Sequence, residues 1–331
     1  MMPLSLADGP LLGLPLVEIW YAVMFVTLAM FLWLDGSNFG IGVLFGLLED
    51  EETKDRMLAA IAPLWDGTEV WLIVFGGAMF AVFPDVYAQL FSGYYLLMFL
   101  ILGSLIVRGV SPEFREQRHD TGWQRLWGTL FVIGSALAPF FLGMFAANWL
   151  VAAPGLFSLP GLVVGLALVA LSTVEGAAFT NMKLERDSPA VVTYGTAAQV
   201  AYLVLAVATV AYLYLFVAGM ATKILSALGI ALVLATAVLG LAYLWLLRQG
   251  QNLYAFVASG VQTFGLAALV AYLLYPTIYP AGDLTVSEAA VSTLGINVMT
   301  IVLVIFLPLV LLYFAVLYSA FRGPAEAGEG Y

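Results

Sequence analysis

The sequence contains no cysteine, only one histidine and few charged residues. The absence of cysteine excludes disulfides, thiolate metal ligands and a cysteine nucleophile. The sequence also lacks a phosphate-binding loop, a dinucleotide fingerprint, an HExxH zinc motif and a GxSxG nucleophile elbow. These absences argue against a self-contained hydrolase, dehydrogenase or zinc enzyme.

Charged residues make up 10% of the chain and leave a net charge of −10. No stripe of basic side chains is available for phosphates, so the sequence predicts no nucleic-acid partner. Hydrophobic residues make up 63% of the chain, whereas about 45–50% is typical of soluble globular proteins. A chain this apolar cannot bury its hydrophobic surface away from water. The composition therefore predicts an all-α polytopic membrane protein with lipid as its solvent.

The apolar runs predict nine transmembrane helices, because each span needs about 20 mostly apolar residues. We expect one integral membrane domain over residues 1–322 and a disordered cytoplasmic tail over residues 323–331. The predicted spans are residues 17–48, 57–84, 86–110, 123–152, 160–182, 192–218, 224–248, 253–275 and 290–320.

The basic residues predict the orientation of these spans. If the N-terminus is outside, Lys223 alone among the eleven Lys and Arg falls on the outer side. Arg108 is counted with the cytoplasmic residues, at the end of the third span. Since cytoplasmic loops carry an excess of Lys and Arg, we expect an external N-terminus and a cytoplasmic C-terminus.

Four acidic residues fall inside the apolar runs, namely Asp35, Asp66, Glu69 and Glu175. An intramembrane carboxylate is costly and indicates a functional site by default. With a rise of about 1.5 Å per residue, Asp66 lies roughly 12 Å and Asp35 roughly 20 Å from the cytoplasmic end of its span. We expect none of the four acids to pair with an intramembrane Lys or Arg of this chain.

Two interpretations of these carboxyl groups stay open. They could fix helix packing through hydrogen bonds, or they could relay protons inward from the cytoplasm. Asp66 and Glu69 are three positions apart, so they share a helix face and could pass on a proton.

Haem iron needs axial His, Met, Cys or Tyr ligands within the membrane. The single histidine, His119, lies in a polar cytoplasmic loop, and methionines in apolar spans usually fill the core. We therefore expect the chain alone to bind no haem and no metal ion.

The stretch IAPLWDGTEVWLIVFGGAMFAVFPDVYAQLFSGYY, residues 61–95, closely resembles the signature region of subunit II of bd-type quinol oxidases. Its core is the WDG motif of Trp65, Asp66 and Gly67. Three further blocks match in order: LDGSNFGIGVL at 34–44, SLIVRGVSPEFR at 104–115 and LGINVMTIVLVIFLPLVLLYFAVLY at 294–318. The resemblance spans both ends of the chain and is weakest between residues 150 and 285.

The resemblance implies a fold of two four-helix bundles with one peripheral helix, in a prokaryotic cell membrane. It implies a heterodimer with subunit I, which binds two b haems and a third haem of d or b type. Subunit I would also bind the quinol and reduce oxygen to water, so this chain would carry no redox cofactor. Membrane lipid, the quinone and small accessory subunits are the other partners that the family allows.

The resemblance also implies roles for individual residues. Asp66 matches the family Asp of a proton path at the subunit interface, and Asp35 matches the first Asp of a DGFD-type motif. The second Asp of that motif is Asn38 here, which cannot release a proton. Glu69 stands where an amide is common, and Glu175 where relatives often have Gln or His.

Trp65, Gly67 and Arg108 are the further motif and interface candidates. Two other functions stay open on the sequence alone. A proton-coupled secondary transporter also has intramembrane carboxylates, typically with broken helices in paired halves. A purely structural scaffold subunit would differ only in that Asp66 moves no protons.

Overall fold

The computed structural model describes residues 6–7, 9–184 and 188–320, and the predicted tail, residues 323–331, lies outside them. Nearly all of the described chain is helical. The elements are α1 (Leu16–Leu47), α2 (Glu51–Ile61), α3 (Trp65–Val82), α4 (Pro84–Gly93), α5 (Tyr95–Glu116), α6 (Thr121–Val151), α7 (Leu159–Leu184), α8 (Pro189–Phe216), α9 (Met220–Ile224), α10 (Ala227–Arg248), α11 (Asn252–Leu274), β1 (Thr277–Tyr279), β2 (Leu284–Thr285), α12 (Val286–Ala289) and α13 (Thr293–Ala320). Short 3-10 helices span Leu11–Gly13, Ala62–Leu64 and Pro280–Gly282.

Within these ranges, nine helical segments are long and apolar enough to cross a membrane, which confirms the predicted number. The second span, Glu51–Val82, consists of α2, a 3-10 turn and α3. Pro63 lies in that turn, and a proline disturbs a regular helix because it lacks a backbone N–H donor. The third span continues to Glu116, so the loop between the predicted spans 86–110 and 123–152 is reduced to residues 117–120.

Polar residues begin several helices where the apolar runs start. Asp50 accepts a hydrogen bond of 3.1 Å from the backbone N–H of Thr53 at the start of α2. Asp120 accepts one of 3.0 Å from Trp123 at the start of α6. Such caps satisfy backbone donors that have no partner inside the helix.

The spans form two bundles with the same order of neighbours. In the first bundle α1 packs against α3 and α6, and α5 packs against α6. In the second bundle α7 packs against α8 and α11, and α10 packs against α11. The helix α13 lies along α1 and α3, and only 6% of its most apolar stretch is buried. This arrangement confirms two four-helix bundles with one peripheral helix.

The two bundles meet where α1 crosses α7. A Cβ atom at Gly40 of α1 would collide with the carbonyl oxygen of Ser172 on α7. A Cβ at Gly176 of α7 would lie 2.5 Å from the carbonyl carbon of Gly40. Small residues let membrane helices approach closely, so this crossing requires glycine on both helices.

The peripheral helix holds the start of the chain through Asn297. Its amide nitrogen donates to the carbonyl oxygens of Leu6 and Gly9 at 2.7 and 2.8 Å, and its amide oxygen accepts from the N–H of Leu11 at 3.0 Å. One turn further along α13, Thr300 accepts a hydrogen bond of 2.9 Å from the indole of Trp20. The N-terminal segment is therefore fixed by a helix near the other end of the sequence.

Candidate functional site

Two of the predicted carboxylates meet at a buried arginine in the first bundle. The guanidinium of Arg108 on α5 donates to Asp35 Oδ1 on α1 at 2.9 Å and also pairs with Glu69 on α3. The side chains of Asp35 and Arg108 are completely buried, whereas that of Glu69 is 38% exposed. We call Asp35, Glu69 and Arg108 the Arg108 cluster.

The prediction that the intramembrane acids have no basic partner is therefore wrong for Asp35 and Glu69. The error lay in placing Arg108 at the cytoplasmic end of its span. The helix continues for eight residues beyond it, to Glu116, so Arg108 lies well inside α5. Pairing it with carboxylates reduces the cost of burying charge in the membrane. Because it lies inside the bundle, Arg108 adds nothing to the loop charges that predict the topology.

Two aromatic rings enclose the arginine. Its guanidinium carbon lies 4.4 Å from the ring centroids of both Phe39 and Trp65. A planar, delocalised guanidinium stacks well on aromatic faces. On the backbone side, a Cβ at Gly134 of α6 would lie 2.6 Å from the backbone nitrogen of Arg108. The position of Arg108 is thus set by packing as well as by charge.

Neutral donors hold the two carboxylates in place. The amide of Asn38 donates to Asp35 Oδ1 at 3.1 Å and to the hydroxyl oxygen of Thr68 at 2.8 Å. The indole of Trp65 donates to Glu69 Oε1 at 2.7 Å. Asn38, which departs from the family motif, is therefore a hydrogen-bond donor to Asp35. Sequence reasoning did not identify Thr68, which carries no charge and is an ordinary residue for a helix interior.

Asp66 follows Trp65 in sequence, but its side chain makes no hydrogen bond or ion pair with this cluster. It occupies the first turn of α3, immediately after the 3-10 turn that contains Pro63, and its side chain is exposed. In the described part of the chain the carboxyl group of Asp66 has no hydrogen bond or ion pair. The neighbouring Gly67 is buried, while Glu69 turns toward Arg108. Asp66 is therefore open to whatever surrounds the subunit at this depth.

Glu175 belongs to a different site. It is fully buried on α7 and accepts a hydrogen bond of 2.5 Å from the hydroxyl of Thr263 on α11. A Cβ at Gly36 would collide with its free oxygen, Oε2. The four predicted acids thus occupy three places: the Arg108 cluster, the exposed position of Asp66 and the second bundle.

The only histidine, His119, is exposed between α5 and α6. In the described ranges, no group of three or more His, Cys, Asp or Glu side chains could hold a metal ion. That the chain binds no haem stays a prediction.

Comparison with known proteins adds a family and a fold. A family model described as cytochrome bd terminal oxidase subunit II matches residues 16–321. Cytochrome bd-I ubiquinol oxidase subunit 2 of Escherichia coli (strain K12) is 29% identical over 350 residues, covering 91% of this chain and 92% of the relative. Cytochrome bd ubiquinol oxidase subunit 2 of Bacillus subtilis (strain 168) is 38% identical over 128 residues, 38% of each chain.

A solved structure shares the architecture. One chain of the bd oxidase from Geobacillus thermodenitrificans matches with a TM-score of 0.76, covering 93% of this chain and 99% of that one. The sequence identity is 17%, so this match speaks to the fold alone.

Proposed function

The chain belongs to the family of subunit II of cytochrome bd terminal oxidases, and on this basis we propose that it supports subunit I and lines a proton path from the cytoplasm. It is a multi-pass protein of the prokaryotic plasma membrane and a subunit of an oxidoreductase complex. The complex uses haems and quinol, oxidises quinol and reduces oxygen. We assign the two b haems, the third haem of d or b type and the quinol site to subunit I, in a heterodimer that small accessory subunits could join.

The proton role follows from the chemistry of the complex. Reduction of oxygen to water consumes protons, and it contributes to a proton gradient only if these protons come from the cytoplasm. A membrane-spanning subunit can supply them through side chains that bind and release protons. Intramembrane carboxyl groups are the usual members of such relays.

The observation that carries the proposal is the exposed carboxyl group of Asp66 in a membrane-spanning segment. A carboxylate that faced lipid would be costly, so Asp66 is expected to face subunit I. The outer surfaces of the same region have room for a partner helix. A Cβ at Gly76 or Gly77 of α3, or at Gly103 of α5, would meet no atom within 4 Å. Glycines with open space beside them allow helices of another subunit to approach closely.

The Arg108 cluster offers the next protonatable groups. Two carboxylates share one guanidinium, so the cluster carries one excess negative charge when both are ionised. An uncompensated charge is costly in a medium of low dielectric constant. A proton bound by Glu69 or Asp35 would neutralise it. Glu69 lies one helical turn from Asp66 and keeps part of its side chain exposed. These features support a relay in which Asp66 and Glu69 exchange protons at the subunit interface.

The test is Asp66→Asn in the heterodimer purified with subunit I. Asparagine keeps the shape and the hydrogen bonding but cannot titrate. We expect normal haem spectra and clearly slowed quinol-dependent oxygen uptake, with a milder defect in Glu69→Gln. The matched control is Asp85→Asn, which changes another exposed Asp in the first turn of a helix, α4. This control is expected to turn over normally.

The same variants distinguish the remaining functions. Near-normal oxygen uptake in Asp66→Asn, with intact haems, would contradict the relay and leave a scaffold subunit. Loss of haem or of assembly would show that Asp66 holds the interface together. A secondary transporter would instead purify without subunit I and show no quinol-dependent oxygen uptake.

A further inference from the structure

Glu175 lies among neutral neighbours in the core of the second bundle. Besides Thr263, its polar surroundings include the phenol groups of Tyr202 on α8 and Tyr243 on α10. The hydroxyl of Tyr243 donates instead to the carbonyl oxygen of Val174, at 2.7 Å. Across the crossing with α1, the nearest acid along that helix is Asp35, whose charge is paired with Arg108. In the described ranges, Glu175 forms no ion pair with a Lys, Arg or His.

Several buried polar atoms of α7, α8 and α11 have no hydrogen-bond partner within the described chain. They are Glu175 Oε2, the hydroxyl of Tyr202 and both amide atoms of Gln199 and of Gln262. Each of these four side chains is at most 1% exposed. We call Glu175, Gln199, Tyr202, Gln262 and Thr263 the Glu175 pocket.

The members of the pocket are brought together by three helices. Gln262 precedes Thr263 on α11, and its amide lies beside the hydroxyl of Tyr202. Gln199 lies one turn before Tyr202 on α8, so both face the same side of that helix. Leaving a buried donor or acceptor unsatisfied costs about 1–3 kcal/mol. Buried polar groups in folded proteins are generally satisfied by ordered water where the protein provides no partner.

We infer that Glu175 is a second protonatable site, held as the neutral acid and hydrogen-bonded to water that fills the Glu175 pocket. An ionised carboxyl group without a counter-charge is very costly in a medium of low dielectric constant, so the group binds a proton instead. Thr263 donates to Oε1, which leaves Oε2 to carry the proton and donate to water.

Water fits this pocket better than a metal ion does. The amide groups of Gln199 and Gln262 and the phenol of Tyr202 supply N–H and O–H donors as well as acceptors. Donor hydrogens repel a cation, whereas water accepts from them and donates to the amide oxygens. The ligand of the site is therefore water, with an exchangeable proton on Glu175.

This site is separate from the proposed relay. Glu175 packs against Gly36 of α1, whereas the neighbouring Asp35 turns toward Arg108 on α5. The backbone of α1 therefore lies between Glu175 and the Arg108 cluster. Neither site depends on the other, so a failure of the Asp66 relay and a failure of this inference are distinguishable.

The test is infrared spectroscopy of the purified heterodimer with subunit I, in H2O and in D2O. A protonated carboxyl group gives a C=O stretching band that an ionised one lacks. We expect such a band in the unaltered complex and in Asp66→Asn, its loss in Glu175→Gln, and its shift on transfer to D2O. The matched control is Glu288→Gln, which should leave the band unchanged. Glu288 is exposed, and hydrogen bonds from Thr285 lower its pKa, so it is ionised.

Two results would overturn the inference. If Glu175→Gln removes no acid band, Glu175 is ionised; if the band does not shift in D2O, water does not reach the site. Thr263→Val provides a second variant that keeps Glu175 and covers the case in which Glu175→Gln does not assemble. Loss of the hydroxyl donor should move the band without abolishing it, and an unmoved band would equally contradict the assignment to Glu175.

Discussion

Asp35 of α1 and Arg108 of α5 form an ion pair of 2.9 Å, and neither side chain is exposed. The pair joins two helices of the first bundle across 73 positions of sequence. Because Glu69 also binds Arg108, one guanidinium connects α1, α3 and α5. Charge and packing are therefore combined at a single residue in the centre of this bundle.

Loss of the guanidinium should destabilise the subunit strongly. Arg108→Gln leaves the buried Asp35 and the partly exposed Glu69 without a counter-charge. Removing one partner of a buried pair such as Asp35 and Arg108 costs about 3–5 kcal/mol. The expected result is a lower thermal midpoint or failed assembly of the heterodimer. The double variant with Asp35→Asn should be less destabilised than the sum of the two single variants. Additive effects would contradict the pairing, and Arg125→Gln, which changes an exposed arginine, is the control.

Closing the gap between α1 and α7 should also be costly. Gly40→Ala places a methyl group against the carbonyl oxygen of Ser172, so the helices must move apart. Overpacking of this kind costs about 1–3 kcal/mol, which should appear as a lower thermal midpoint of the purified complex. Gly265→Ala is the matched control, because its Cβ meets no atom within 4 Å. Equal midpoints for the two variants would show that the crossing is not tightly packed.

The haems should be independent of this chain's histidine. Expressed without subunit I, the chain is expected to show no Soret absorbance above background. In the heterodimer, His119→Ala should leave the haem spectra unchanged, because His119 is an exposed residue of a short loop. Disappearance of a haem band in that variant would assign a ligand role to this subunit.

The predicted orientation can be tested with two reporters. A reporter fused after Tyr331 should be active only in the cytoplasm, and one inserted near Asp283 should be active only outside. Asp283 lies in the turn that precedes β2, between the last two spans. The expectation rests on the excess of Lys and Arg at the opposite ends of the helices. Both reporters on one side would be incompatible with nine spans.

The sequence predicted the spans well because hydrophobicity sets them directly. The number of helices followed from the apolar runs, and the two bundles followed from the family resemblance. The predicted position of Arg108 was wrong because the predicted third span ended soon after this residue, whereas the helix continues to Glu116. One signal could have corrected this prediction: Arg108 is a single arginine in an apolar run, and the chain has acids at similar depth.

Side-chain direction was less accessible from the sequence. The spacing of Asp66 and Glu69 predicts a shared helix face, yet Glu69 turns to Arg108 on another helix while Asp66 stays exposed. The Glu175 pocket was equally hidden, because Gln199 and Gln262 are ordinary polar residues until the packing of α8 and α11 places them near Tyr202. Both arrangements depend on tertiary neighbours, which periodicity does not report.

The contacts of Asn297 set an order of events during biosynthesis. Chains emerge from the ribosome with the N-terminus first, so Leu6, Gly9 and Leu11 are made long before the helix that binds them. Their hydrogen bonds to Asn297 can form only after the last span has been synthesised and inserted. A segment that is made before the first span is thus fixed only after the last span, so its ordering follows insertion of α13.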